Sequence, residues 1–99
     1  MDIIIKHSNK KDKKFDAIIN GSKTVSFGAK GYSDFTQHKD TKRKDRYLNR
    51  HKKNENWNDP LTAGFYATNL LWNQPTIKSS IAETNKKFKG KLHIKLKIP

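Results

Sequence analysis

Cysteine is absent from the 99-residue chain, which excludes disulfides and thiolate metal sites and leaves the redox compartment unread. Acidic residues are scarce: nine Asp and Glu stand against 22 Lys and Arg, a net charge of +13. That surplus points to a polyanionic partner, nucleic acid before an acidic protein or an anionic membrane. Apolar residues make up only 32% of the chain, and no apolar run approaches the roughly 20 residues of a membrane span. The N-terminus, MDIIIKHSNK, carries three isoleucines and then charges, with no h-region, so no signal peptide is expected and a cytosol-like or nuclear compartment follows. Low hydrophobicity with high net charge leans toward disorder. The apolar residues nevertheless fall into periodic blocks, so a single small basic domain spanning 1–99 with a thin core is expected. Partner binding would add to its stability, and the thin core makes assembly with further copies an expectation.

The β-branched run Ile3–Ile5 suits a strand. Phe15, Ala17 and Ile19 alternate with polar positions, Asn20-Gly21 offers a turn, and Val25 and Phe27 alternate again, which reads as a hairpin over 15–27. A two-residue loop would put the two sets on opposite faces. A three-residue loop, Asn20 to Ser22, pairs Ala17 with Val25 and keeps all five on one face, and is preferred for that reason.

Asp40 is a good N-cap for a helix over TKRKDRYLNRHKK. At 100° per residue Lys44, Tyr47, Leu48 and His51 share one side, and Lys42, Arg43, Arg46, Arg50 and Lys53 share another. LTAGFYATNLLW is apolar nearly all round, which predicts a buried central helix with Thr62 as its N-cap, ended by Asn73-Gln74-Pro75. Thr76 caps a further helix with Ile77, Ile81, Thr84 and Phe88 on one face and Gly90 beyond its end. The tail alternates Leu92, Ile94, Leu96 and Ile98 with Lys91, His93, Lys95 and Lys97, the pattern of a strand over 91–98. The expected fold is α+β: an antiparallel sheet of three or four strands, with about three helices between the hairpin and the last strand.

The segment from Gly28 to Trp57 concentrates the chemistry. Between Lys30 and Lys53 nine Lys or Arg face three Asp, an excess of six. A row of basic side chains on one helix face can neutralise several phosphates, and arginine adds bidentate contacts that lysine lacks. Lys39, Lys42, Arg43, Arg46, Arg50 and Lys53 are therefore the candidate polyanion-binding residues. The plain alternative is a solvated face with arginines paired to Asp40 or Asp45. Tyr32 and Phe35 are candidates for stacking on unpaired bases, against the ordinary use of such rings as core. His38, Asp40, His51 and Glu55 contain a His and a Glu at i, i+4, a spacing that suits a divalent ion on a helix and hence a nuclease, yet no catalytic spacing is matched and no carboxylate pair is present. Gly28 and Gly31 lack the Lys-Ser/Thr ending of a phosphate-binding loop. No catalytic residue, cofactor or bound metal is expected.

Several strings together resemble a family of short, basic, functionally uncharacterised proteins of large nucleocytoplasmic double-stranded DNA viruses. They are Phe27–Ala29, Ser33–Thr36, His38–Asp40, Tyr47 with Arg50-His51, Ala63–Phe65 and Leu70–Asn73, within roughly residues 23–88. The chain departs from the pattern at Tyr66-Ala67-Thr68, where a basic side chain is missing. The resemblance implies a viral origin and a place in the virion, host cytoplasm or viral factory, but carries over no catalytic residues. The expected function is a non-enzymatic, virion-associated structural or binding protein, such as a minor capsid component, using the basic helix and the Lys-rich last strand on an anionic partner. The alternative is a nucleic-acid-binding protein contacting the phosphate backbone; the third reading is the metal-dependent nuclease.

Overall fold

A computed structural model describes residues 1–53 and 55–98. Its α+β fold lays four helices and a π-helical turn along a four-stranded sheet. The elements are β1 (Asp2–His7), β2 (Lys13–Ile19), β3 (Lys23–Ala29), α1 (Phe35–His38), α2 (Thr41–His51), α3 (Ala63–Tyr66), α4 (Ile77–Lys87) and β4 (His93–Leu96). The strand order is β3-β2-β1-β4.

The β2–β3 hairpin takes the three-residue loop. Ala17 pairs with Val25 and Phe15 with Phe27. Asn20 and Gly21 both have left-handed φ, 50° and 73°, and Ser22 N–H donates to Ile19 O at 3.1 Å. The Asn-Gly turn and the extra residue Ser22 together set a register that keeps Phe15, Ala17, Ile19, Val25 and Phe27 on one face, with Ile18 on the other.

The expectation of a fully antiparallel sheet needs correction, because β4 runs parallel to β1, with Ile3 opposite Ile94. The helices carry the chain from the end of β3 back to the starting level at the far edge. A strand entered through such a crossover runs parallel to its neighbour. Asn85 of α4 covers that edge: its side-chain amide donates to Ile94 O at 2.9 Å and its Oδ1 accepts Ile94 N–H at 2.8 Å. An unpaired edge is thereby closed by a side chain.

The central apolar segment begins as expected, with Thr62 Oγ1 accepting the Phe65 N–H. It does not continue as one α-helix: after a single turn, Ala67–Leu71 widens into a π turn. Within this widened turn the Asn69 side-chain amide donates to Phe65 O at 2.9 Å, a side-chain bond that accompanies the π geometry. Trp72 N–H then reaches Ala67 O. Phe65, Tyr66, Leu70 and Leu71 are all buried and pack with Ile3, Ile5, Ala17, Ile19, Phe27 and Ile94. α4 adds Ile81 and Thr84, with Ile77 and Phe88 at the margin. The Thr84 hydroxyl sits at 2.8 Å from Ser80 O and 3.3 Å from Asn69 O, so this buried polar group is satisfied between two helical segments.

α1 adds a helix beyond those expected. It is a four-residue turn opened by a capping box, with Asp34 accepting from Thr36 N–H and the Gln37 side chain returning to Asp34 N–H. Its signature, Asp-x-x-Gln, stands in the sequence at positions 34 and 37.

Candidate anion-binding cleft

α2 lies on the outside of the domain, and none of its residues is fully buried. Asp40 caps it by accepting Lys42 N–H at 2.9 Å and Arg43 N–H at 3.3 Å. The seam expected from the 100° pattern is the side that packs. The Tyr47 ring stacks on Trp72 at 4.2 Å with 4° between planes, and the His51 ring stacks on Tyr47 at 4.1 Å. Lys44 Nζ donates to Asn73 O at 2.6 Å. Burial, and next the nearby Glu55 carboxylate, push the Tyr47 phenol up to about 12, so the ring stays neutral within the stack.

Because one narrow seam holds the helix, its remaining faces are free to display charge. Arg43, Arg46 and Arg50 line a cleft of about 540 Å³ shared with the Gly28–Asp34 loop, where Ala67, Leu71 and Trp72 supply apolar lining. Among the described residues the ion pairs are Lys14–Asp34, His51–Glu55 and His93–Asp2; these three arginines enter none of them. Lys42 and Lys53 are exposed on and just beyond α2 but do not line the cleft. Lys39 turns back on α1, its Nζ donating to Thr36 O at 2.9 Å.

The two candidate stacking rings part company. Tyr32 is 76% exposed and lines the cleft. Phe35 is 5% exposed, with Lys44 Nζ 5.0 Å from its ring centroid and the His38 ring at its edge. Phe35 anchors α1 and presents no free face to a base, so the expectation for it is corrected. A short helix over a thin core needs such an anchor, and tertiary burial overrides its place in a polar segment.

Lys14 is the residue the sequence pattern hid. It occupies a polar position of β2, yet its side chain is only 15% exposed. Its ammonium donates to the Tyr32 carbonyl, to Asp34 Oδ2 at 2.7 Å and to Gln37 Oε1 at 2.8 Å. This charge is spent inside the molecule, where it pins the loop that carries Tyr32 to the start of α1.

The four residues of the nuclease reading fall into two local pairs. His38 Nδ1 accepts the Asp40 N–H at 2.9 Å, at the junction of α1 and α2. His51 Nδ1 lies 3.2 Å from Glu55 Oε2, whose other oxygen accepts from Trp57 Nε1. Among the described residues no three His, Asp or Glu side chains gather as a metal site.

That His38 bond has a pH consequence. With Nδ1 an acceptor, the proton sits on Nε2, which is buried without a hydrogen-bond partner among the described residues. Burial first, then the Arg43 guanidinium, hold the imidazole below the ordinary 6.5, against the opposing pull of Asp40 and Asp34. Below 6.5 the unfolded chain therefore binds protons that the folded chain refuses. The contribution to stability is complete above 6.5 and declines as pH falls toward the lowered folded value. A wild-type melting temperature that drops between pH 7.5 and pH 5.5 more than that of His38→Gln would bear this out; equal drops would refute it.

No curated protein and no solved structure matches the chain. The family comparison covers β1 to α2, and so takes in the Tyr32 loop and the arginines of the cleft but ends before the Leu70–Asn73 string. What the chain is similar to, over residues 3–51, is a family of unknown function (DUF5754).

Proposed function

We propose that this protein is a non-enzymatic binding protein that holds a phosphate-bearing polymer, nucleic acid, through Arg43, Arg46 and Arg50. The carrying observation is that these three arginines line one cleft and, among the described residues, pair with no protein carboxylate. Unpaired arginines on a rigid helix keep their bidentate donors for an incoming oxyanion. The net charge of +13 supplies long-range attraction that grows as salt is lowered.

A salt titration of binding to duplex DNA and to a single strand tests the reading. Log affinity should fall linearly with log salt, and Arg43→Ala/Arg46→Ala/Arg50→Ala should reduce the slope by roughly 0.7–0.9 for each phosphate no longer neutralised. Weak, shallow binding that the triple variant leaves untouched would remove nucleic acid as the partner.

A second reading is supported by the tail, where Lys91, His93, Lys95 and Lys97 are all exposed, adding basic positions on another element. Together with the resemblance to viral proteins, this supports a virion component, such as a minor capsid protein, whose basic surfaces meet acidic capsid subunits. Copurification with virions in many copies is its test, and absence from purified virions would discard it.

A further inference from the structure

Tyr32 is the feature that a purely electrostatic role leaves unused. A tyrosine 76% exposed leaves its apolar ring in water, whereas Phe27, Phe35, Phe65 and Tyr66 are all buried. Its loop is not loose, because Lys14 fastens the Tyr32 carbonyl directly and the Asp34 carboxylate two residues on. The Tyr32 backbone is thus held beside the cleft that Tyr32, Arg43, Arg46 and Arg50 line, with Leu71 and Trp72 as apolar lining. The volume, about 540 Å³, lies in the range of roughly 300–1,000 Å³ found for pockets that enclose small molecules. A duplex presents its phosphates on a convex surface with the bases stacked inside, and would need neither a concavity nor a ring. A single strand can turn one base out against an aromatic face while its phosphates meet basic side chains.

We propose that the cleft receives one unstacked nucleotide of a single-stranded nucleic acid, with its base on Tyr32 and its flanking phosphates on Arg43, Arg46 and Arg50. This deepens the polyanion reading above and rests on it.

Fluorescence anisotropy with a labelled short oligothymidylate, an oligouridylate and a duplex of equal length tests the inference. The wild-type chain should prefer the single strand, and Tyr32→Ala should lower single-strand affinity by roughly tenfold. Tyr32→Phe, which keeps the stacking face, should restore it, and duplex affinity should not respond to either change. Preference for thymidylate or uridylate would name DNA or RNA as the natural strand, and binding of either supports the inference. Equal affinity for duplex and single strand, or a Tyr32→Ala variant as tight as wild type, would overturn it. If the triple arginine variant weakens binding while Tyr32→Ala does not, the single-strand inference fails alone. If the triple variant keeps full affinity, the polyanion reading fails with it. Thermal melts of each variant separate lost binding from lost fold, since so exposed a ring adds little to the core.

Discussion

Gly28→Ala is expected to lower the melting temperature by about 15 °C, from a loss of roughly 3 kcal/mol. Two causes combine. Gly28 has φ of 79°, a conformation that costs an L-residue about 1–2 kcal/mol. A Cβ there would also stand 2.9 Å from Leu71 Cδ1 and 3.2 Å from Lys14 Cβ. Leu71 is buried in the core, and Lys14 Cβ is fixed to its backbone, so neither can step aside freely. Overpacking of this kind costs about 1–3 kcal/mol. Gly21→Ala is the matched control, with φ of 73° and nothing within 4 Å of the added carbon. It should lose only the conformational part, about 1–2 kcal/mol. Denaturant melts of the two variants decide the matter: equal losses would mean that Leu71 makes room at no cost. The same substitution should weaken nucleic-acid binding, since Gly28 and Leu71 both line the cleft.

Lys14→Met is expected to lose about 2–4 kcal/mol, somewhat below the 3–5 typical of breaking a fully buried pair because Lys14 keeps some exposure. Methionine retains the length of the side chain but leaves the Asp34 carboxylate, 5% exposed, without its ammonium. Thr36 N–H and the Thr36 hydroxyl still donate to Asp34 Oδ1, so the cap survives in part. The Tyr32 carbonyl loses its donor as well, and single-strand affinity should fall although Arg43, Arg46 and Arg50 are intact. A double-mutant cycle with Asp34→Asn separates the pair from general damage, because removing both charges no longer strands one of them. The double variant should be less destabilised than the sum of the singles by about 1 kcal/mol or more. Strict additivity would show that Lys14 and Asp34 are not coupled.

How far the sequence reveals each feature depends on how local its signal is. The hairpin register follows from Phe15, Ala17, Ile19, Val25 and Phe27 needing one face. The caps at Asp40, Thr62 and Thr76 each serve amides of the adjoining turn. The seam of Lys44, Tyr47, Leu48 and His51 follows from helical geometry, and those residues are the partly buried ones of α2. The strand alternation of Leu92 to Lys97 likewise stands, although the pairing itself covers only His93–Leu96. The Asp34–Gln37 capping box is equally local, but it opens only one helical turn and so lacks the apolar periodicity that would draw attention to it. The features that the sequence concealed depend on distant partners. Nothing near Phe35 announces that Lys44 will cover it, and nothing in β2 distinguishes Lys14 from its equally polar neighbour Lys13. The π turn over Ala67–Leu71, with the Asn69 side-chain amide bonded to Phe65 O, has no marker in an apolar run that reads as one regular helix.

The sequence by itself determined the α+β composition, the faces of the hairpin and of α2, and a net charge of +13. These rest on periodicity and capping, which act within a few residues. Tertiary structure alone decided that β4 runs parallel to β1, that Lys14 is spent on a loop 18 residues downstream, and that Arg43, Arg46 and Arg50, but not Lys39, Lys42 or Lys53, meet in a cleft with Tyr32. Those outcomes turn on which groups are brought together across the fold and which are left to water, and burial and pairing are properties of the folded whole.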